Sequence, residues 1–368
     1  MAIVLFTAGS LRFLDTLPTH APDDGFVWVY LERAEFAASL AEQQALAQRL
    51  GGAALLDVHA RDLANEAHPS HFDATSVYDR VIFRRLATAP EADAQAVADA
   101  ATGHIDSRPV GFAVFDRLLI SVHPPGCPVA LAFIERLATD VRLSVDAQAA
   151  RSRGPQSPAD LALNLINTMV DSYLELRKDL TRRLDAAQRE LLRPNPRADT
   201  WPLLMHARQQ LHWLQELCEE QQDAMQEWLD TLREQPLSDW GADTEQALRR
   251  RDLLVARARD VMEHIDRVLH HAHRLEQSAE TAVQIHFNAQ GQRTNDIMRT
   301  LTAITAVFLP LNLFTGFFGM NFEHLPLIHS SLGMWVALAL LGALALGIVL
   351  LFWRRRYLSH AREDTHEP

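Results

Sequence analysis

Cysteine is nearly absent: the chain has two, Cys127 and Cys218, in different segments. Neither a zinc-ribbon spacing nor a disulfide framework can be built from them. A basic excess is missing too. Lys and Arg total 35 against 47 Asp and Glu, a formal net charge of -12. Nucleic acid is thereby excluded as a partner, because phosphate binding needs clustered Lys and Arg. The same balance suits a protein that attracts cations. No glycine-rich phosphate loop occurs, so ATP hydrolysis is not expected. No catalytic constellation with usable spacing appears either, and a fold could not supply one by itself, so the chain does not read as an enzyme. The apolar start, residues 1–6, lacks a basic flank and ends within a few residues. It reads as a first strand and not a signal peptide, which keeps the soluble part in the cytoplasm.

What is present is organised in stages, and 48% hydrophobic residues leave ample material for a core. Short runs rich in β-branched and aromatic residues at 3–6, 26–31, 53–58, 81–83 and 110–122 read as strands. Residues 35–50 have helical spacing and stop at Gly51-Gly52, a helix-ending pair. An α/β domain is expected over 1–125, closed by Pro124, Pro125 and Pro128. Helix formers then dominate a helical domain, 126–243. One helix is expected over 157–192, opening on Ser157-Pro158 and broken by Arg193-Pro194-Asn195-Pro196; a second spans about 201–233. From Thr244 no proline occurs until Pro310, and Gly291 is the single glycine before the apolar run. The roughly 65 residues before Pro310 would span about 100 Å of helix, which no small domain buries alone.

The far end of that helix changes character. After a stalk, 244–296, residues 297–318 are expected to form a first transmembrane helix: 301–318 has no charge and covers about 27 Å. Residues 331–353 are a second, more uniformly apolar span, and 354–368 is a tail that opens with three arginines. Arg354, Arg355 and Arg356, with Arg293 and Arg299 before the first span, place both termini in the cytoplasm and the loop 319–330 outside. The spans differ. In the first, Leu301, Thr305, Leu309, Asn312, Gly316 and Gly319 step by four or three and share one face, which extends back to Met298 and Asn295. A side-chain amide in mid-membrane needs protein or water beside it. Pore lining by several copies around an axis fits this pattern, and so does plain helix packing.

The stretch Met298-Arg-Thr-Leu-Thr-Ala-Ile-Thr-Ala-Val-Phe-Leu-Pro310, continuing Leu-Asn-Leu-Phe-Thr-Gly316-Phe-Phe-Gly319-Met320-Asn321-Phe322-Glu323, resembles the signature of the CorA family of divalent-metal transporters. Met169-Val170-Asp171-Ser172-Tyr173 looks like the family's first long cytoplasmic helix, and Asp62-Leu63 followed by Tyr78-Asp79-Arg80-Val81-Ile82-Phe83 like its N-domain. The resemblance implies an α+β membrane protein: a homopentameric funnel of cytoplasmic α/β domains, stalk helices continuous with the first span, and an outer ring of second spans in the inner membrane. It implies a selectivity loop of Gly319, Met320, Asn321 and Glu323 and a pore lined by Asn295, Met298, Leu301, Thr305, Leu309, Asn312 and Gly316. It further implies that Asp62 and Asp260 of neighbouring subunits form a regulatory magnesium site, although Arg61 stands where the family usually has a second acid.

Three departures stand out. Phe318 replaces a usual Tyr, Asn312 a usual Thr, and the loop lacks the acid that often follows Pro326. Histidines at 264, 270, 271, 273 and 286 on the stalk and at 324 and 329 in the loop suggest Zn²⁺ and the related ZntB-type zinc transporters. The intact Gly-Met-Asn favours Mg²⁺ as transported and regulatory ion, with Co²⁺ and Ni²⁺ as further permeants. Carriage is expected to be driven by the membrane potential and gated by cytoplasmic metal. A two-span sensor or scaffold that moves no ions is the rival of a different class.

Overall fold

The computed structural model describes residues 1–7, 10–22, 24–87, 106–143, 154–191, 193, 197, 200–234, 244–320 and 331–354. The expected turn at 236–243, Pro194 to Pro196, the loop from Asn321 to Ser330 and the tail beyond Arg354 lie outside them. The chain divides into two units, Met1–Thr281 and Ala282–Pro368.

In the first unit seven strands form one mixed sheet: β1 (Ala2–Thr7), β2 (Ser10–Leu14), β3 (Gly25–Glu32), β4 (His71–Ala74), β5 (Tyr78–Leu86), β6 (Ser107–Phe115) and β7 (Leu118–His123). Their spatial order is β2-β1-β3-β7-β6-β5-β4. Only β3 and β7 pair in parallel, with Val27 opposite Leu118 and Glu32 opposite His123. Since β5 is antiparallel to β6 and β6 to β7, the strands β3, β5 and β7 all end at the same edge. β3 reads Gly-Phe-Val-Trp-Val-Tyr-Leu-Glu and is buried on both faces, as an apolar central strand must be.

One face carries Val27, Val29, Leu31, Ile120, Val122 and Ala113. It is packed with side chains of α1 (Arg33–Ala38), α2 (Leu40–Leu46) and α3 (Asp57–Ala64), among them Phe36, Leu46 and Leu63. The other face, with Trp28 donating to Ser121 Oγ at 2.8 Å, lies under α4 (Pro128–Leu143) and α5 (Pro158–Asp171). Ser157 caps α5 by accepting from Asp160 N. Next come α6 (Tyr173–Leu191) and α7 (Thr200–Glu234). Tyr173 and Gln221 both donate to Arg84 O, which ties these helices to the end of β5.

Several expectations need correction. Residues 53–58 form no strand; 53–56 is a loop and Asp57 begins α3, because Leu56 and Val58 are exposed while His59, Ala60 and Leu63 are buried at helical spacing. The helix expected over 35–50 breaks at Ser39, whose hydroxyl donates to Glu35 O. It ends in a π-helical turn, Ala47–Gly51, before Gly52 at φ +88°, the left-handed stop its glycine permits. The run 110–122 is two strands with a turn at Asp116-Arg117. The helix 157–192 is two helices parted at Ser172, whose hydroxyl takes Met169 O. The short strands β2 and β4 stand at the sheet's edges.

The helix expected from Thr244 is one helix of 75 residues, α8 (Thr244–Phe318), and α9 (Ser331–Arg354) follows the loop. Within the first unit α8 buries Ala258, Val261, Ile265, Val268, Ala272, Leu275 and Ala279. Steps of three and four alternate without a fault, the 3.5-residue seam of a coiled coil. One position ahead of alternate seam residues, Arg257 pairs with Asp160, His264 with Asp171 at 3.5 Å, His271 with Thr181 Oγ1 at 3.1 Å and Ser278 with Gln188. Asp160 is fully buried and its proton is held more tightly than usual, burial outweighing the Gln156 N–H and Arg257. Arg257→Ala would strand that carboxylate, and a loss of roughly 3 kcal/mol is expected. Urea unfolding of the solubilised chain checks it, with part of the loss recovered when Asp160→Asn is added.

Candidate functional site

In the second unit α8 offers two unlike faces. Between 301 and 318 Ala303 is buried and Ala306, Val307, Pro310, Leu311, Phe314 and Phe318 are half-buried, forming the shielded face. The expected pore positions Leu301, Thr305, Leu309, Asn312 and Gly316 are all exposed. At about 100° per residue the pore positions fall within an arc of roughly 80°, opposite the centre of the shielded arc. Met298 shares that arc and is exposed, whereas Asn295 lies on its flank. The structure thus brings six of the seven residues onto one open stripe.

Hydroxyls on and beside the stripe bond back onto the helix, as threonines do elsewhere in the chain's helices. Thr305 Oγ1 donates to Leu301 O at 2.8 Å and Thr302 Oγ1 to Met298 O at 2.7 Å. With the hydroxyl proton spent on the helix, the oxygen lone pairs face outward, and a cation needs an acceptor. Pro310 sits inside the helix and denies Ala306 O its usual donor. Gly319 N closes the last turn on Thr315 O at 2.9 Å, so Gly319 and Met320 sit at the carbonyl-bearing, negative end of α8. Asn321 and Glu323 lie outside the described residues.

A Cβ added at Gly316 meets nothing within 4 Å, so nothing in the chain itself requires glycine there. One added at Gly319 would lie 3.0 Å from Thr315 O. Large apolar side chains on the stripe are also left open, Leu309 63% and Leu301 57% exposed. A face of this kind needs lipid or further copies of the chain against it.

The expected sensing residues are each engaged inside the chain. Asp62 on α3 accepts from Arg80 Nη1 at 2.5 Å, with His68 Nε2 at 3.8 Å. Arg80 has no role in the sequence pattern; on β5 it stands directly opposite Asp73 of β4 and reaches Asp62 of α3. Asp260 is well exposed and pairs with His264 on its own helix at 3.8 Å. His271 has its proton affinity lowered by burial, then by Arg177 and Arg274, and bonds Thr181. His286 bonds Gln290. Among the described residues no three His, Cys, Asp or Glu side chains are placed to hold a metal.

The first unit thus holds a 3.5-residue seam on α8, and the second an exposed stripe of mixed polar and apolar residues on the same helix. The family of CorA-like Mg²⁺ transporter proteins matches residues 23–356, and the chain belongs to that family. Its members are transporters and not enzymes, and they reside in membranes. The cobalt/magnesium transport protein CorA of Thermotoga maritima is 26% identical over 198 residues, which cover 54% of this chain and 52% of that protein. The putative metal ion transporter YfjQ of Bacillus subtilis is 40% identical over 60 residues, 16% of this chain and 19% of its own. The chain therefore spans about half, or less, of the length of these relatives. The complete CorA magnesium transporter structure from Methanocaldococcus jannaschii superposes with a TM-score of 0.70 at 16% identity, covering 96% of this chain and 98% of that one. Full-length CmaX gives 0.58 at 20%, covering 97% of each. Both show the fold: an N-terminal α/β part and a long helix. Among the described residues α8 is the one helix long and apolar enough to cross a membrane, while the apolar part of α9 runs Trp335–Leu351.

Because Gly316 is open on all sides, Gly316→Ala is expected to leave thermal stability within about 0.5 kcal/mol of the parent chain. Gly319→Ala, crowded by Thr315 O, is expected to lower it. Thermal unfolding in detergent compares the two, and lost ion flux in a fully stable Gly316→Ala chain would report a narrowed path.

Proposed function

We propose that this chain is one-fifth of a divalent-cation channel that carries Mg²⁺, with Co²⁺ and Ni²⁺, inward across the inner membrane. The observation that carries the reading is the stripe Met298–Leu301–Thr305–Leu309–Asn312–Gly316, open in the single chain and opposite its shielded face. One two-span hairpin cannot enclose water, but five copies around an axis can, with this stripe inward and α9 outward toward lipid. Both termini are then cytoplasmic. Magnesium is preferred to zinc because Gly-Met-Asn is intact and because the relatives from Thermotoga and Methanocaldococcus carry cobalt/magnesium and magnesium transport in their names.

Mg²⁺ gives up its water reluctantly and favours oxygen. A ring of Asn321 amides, with Glu323 near the mouth, holds the hydrated ion through its water shell. Rings of Leu309, Leu301 and Met298 close by dewetting, and Thr305 and Asn312 supply oxygens between them. The potential contributes about 4.6 kcal/mol per 100 mV for a divalent ion moving toward a negative interior. In the cytoplasm Mg²⁺ takes over from Arg80 as the counter-charge of Asp62 and bridges to Asp260 of the next subunit, which favours the closed arrangement.

Proteoliposomes containing the full chain are expected to take up Mg²⁺ down an imposed potential, and Asn321→Ala to abolish uptake. Undiminished uptake in that variant would remove the selectivity role, and none in the parent chain would favour a non-transporting scaffold. For regulation, millimolar Mg²⁺ is expected to protect the cytoplasmic part from protease. Asp260→Ala should lose the effect and Arg80→Gln should need several-fold less Mg²⁺, by freeing Asp62. Equal Mg²⁺ dependence in all three chains would dismiss the sensing pair.

A further inference from the structure

The sheet edge beside α3 holds charged groups that neither the ion path nor the Asp62–Asp260 pair uses. Two periodicities interleave there. Residues two apart on a strand share a face, and so do residues three apart on a helix. Tyr78 and Arg80 therefore stand on one face of β5, where His59 and Asp62 of α3 meet them. Asp73 of β4 is the direct cross-strand partner of Arg80 and joins the same face.

Arg80 is 3% exposed and has two carboxylates in reach. Its Nη1 donates to Asp62 Oδ2 at 2.5 Å, while Nη2 stops 3.6 Å from Asp73 Oδ2, short of a hydrogen bond. Among the described residues its Nε has no partner. The guanidinium thus grips one carboxylate, and the second waits about 0.7 Å beyond bonding distance. A buried guanidinium stripped of its bonded counter-charge is strongly unfavourable, so anything that takes Asp62 drives Arg80 toward Asp73.

Asp73 is held in place for that exchange. Its Oδ2 lies 2.9 Å from His59 Nε2, and His59 Nδ1 lies 2.8 Å from the Tyr78 hydroxyl. That hydroxyl oxygen already accepts the Leu56 N–H at 3.0 Å. One assignment of protons satisfies every atom: Tyr78 donates to Nδ1, and neutral His59 donates from Nε2 to Asp73. His59 and Tyr78 are both buried, and their rings meet edge-on at 5.6 Å. The Asp73 side chain is 44% exposed, so without this chain of bonds it would turn to water. A carboxylate oxygen has two lone pairs, and Oδ2 can take His59 and Arg80 together.

We propose that Arg80 is a two-position counter-ion, and that Asp73 is the carboxylate which receives it when a divalent cation occupies Asp62. His59 and Tyr78 are the positioning residues that keep Asp73 aimed at the guanidinium. The cation's part in this rests on the proposed sensing by Asp62 and Asp260; the choice of Arg80 between two carboxylates does not. The exchange lets a cation displace a buried ion pair without stranding the arginine, and it carries the change from α3 to β4 at the sheet's edge.

Thermal unfolding of the full chain in detergent, at fixed pH and with a chelator present, tests the exchange without any cation. Asp62→Asn removes the gripped charge and leaves Arg80 to Asp73. Adding Asp73→Asn is then expected to lower the unfolding midpoint at least twice as far as it does in the parent chain, and the excess to vanish once Arg80→Gln is added. Equal falls in both chains, or an excess that survives Arg80→Gln, would overturn the proposal. With Mg²⁺ present, the concentration giving half-maximal protease protection is expected to rise several-fold in Asp73→Asn and by less in Tyr78→Phe. In an Arg80→Gln chain Asp73→Asn is expected to change nothing; a rise persisting there would make Asp73 a direct cation ligand and overturn the exchange. If the parent chain shows no Mg²⁺ dependence, sensing by Asp62 fails alone and the metal-free comparison still decides. A doubly substituted chain that folds only when Arg80→Gln is added meets the expected coupling in full, and if neither folds the Mg²⁺ titration of Asp73→Asn decides.

Discussion

A helix of 75 residues cannot hold itself straight in water on its own hydrogen bonds, and α8 obtains its support in different ways along its length. In the first unit it lays a 3.5-residue seam of small and branched side chains, Ala258 to Ala279, into the protein. In the second it presents Leu301, Ile304, Phe308, Leu309 and Leu313 outward, each at least half exposed. Water would oppose so much apolar surface, at roughly 25 cal/mol per Å². The stretch beyond Ala282 therefore needs lipid or further protein against it.

The lower stretch is held by polar pairs as well as by apolar contact. Arg257, His264, His271 and Ser278 are seven apart and meet Asp160, Asp171, Thr181 and Gln188 on α5 and α6. A rotation of α8 about its axis would strain all four rungs together, and the buried Asp160 makes the first of them costly to break. The four rungs fix the rotational setting of α8 against α5 and α6 within the first unit.

Periodicity made the long elements legible. The proline-free run from Thr244 marks the start of α8, which continues through Pro310 to Phe318, and the residues stepping from Leu301 to Gly316 all lie among its exposed positions. Gly51-Gly52 marked the end of the first helical segment. What escaped was set by tertiary contact. Ala53 to Val58 has strand-like composition, but two of its apolar residues face water and Asp57 starts a helix. Ser39 and Ser172 part helices through hydroxyl bonds that no hydrophobic pattern records. Arg80 stood in a quoted motif, yet its grip on Asp62 depends on β5 lying beside α3, a distance of 18 residues along the chain.

The central claim is that one face of α8 borders the path of the ion. It is tested most directly by cadmium inhibition of Mg²⁺ uptake in chains carrying one new cysteine. The native thiols do not interfere, since Cys127 and Cys218 are buried and burial pushes Cys218 up to about 12. Leu309→Cys, on the open stripe, is predicted to confer block by micromolar cadmium, and Val307→Cys, on the shielded face, to confer none. Block of both chains alike, or block through Val307→Cys alone, would contradict the account.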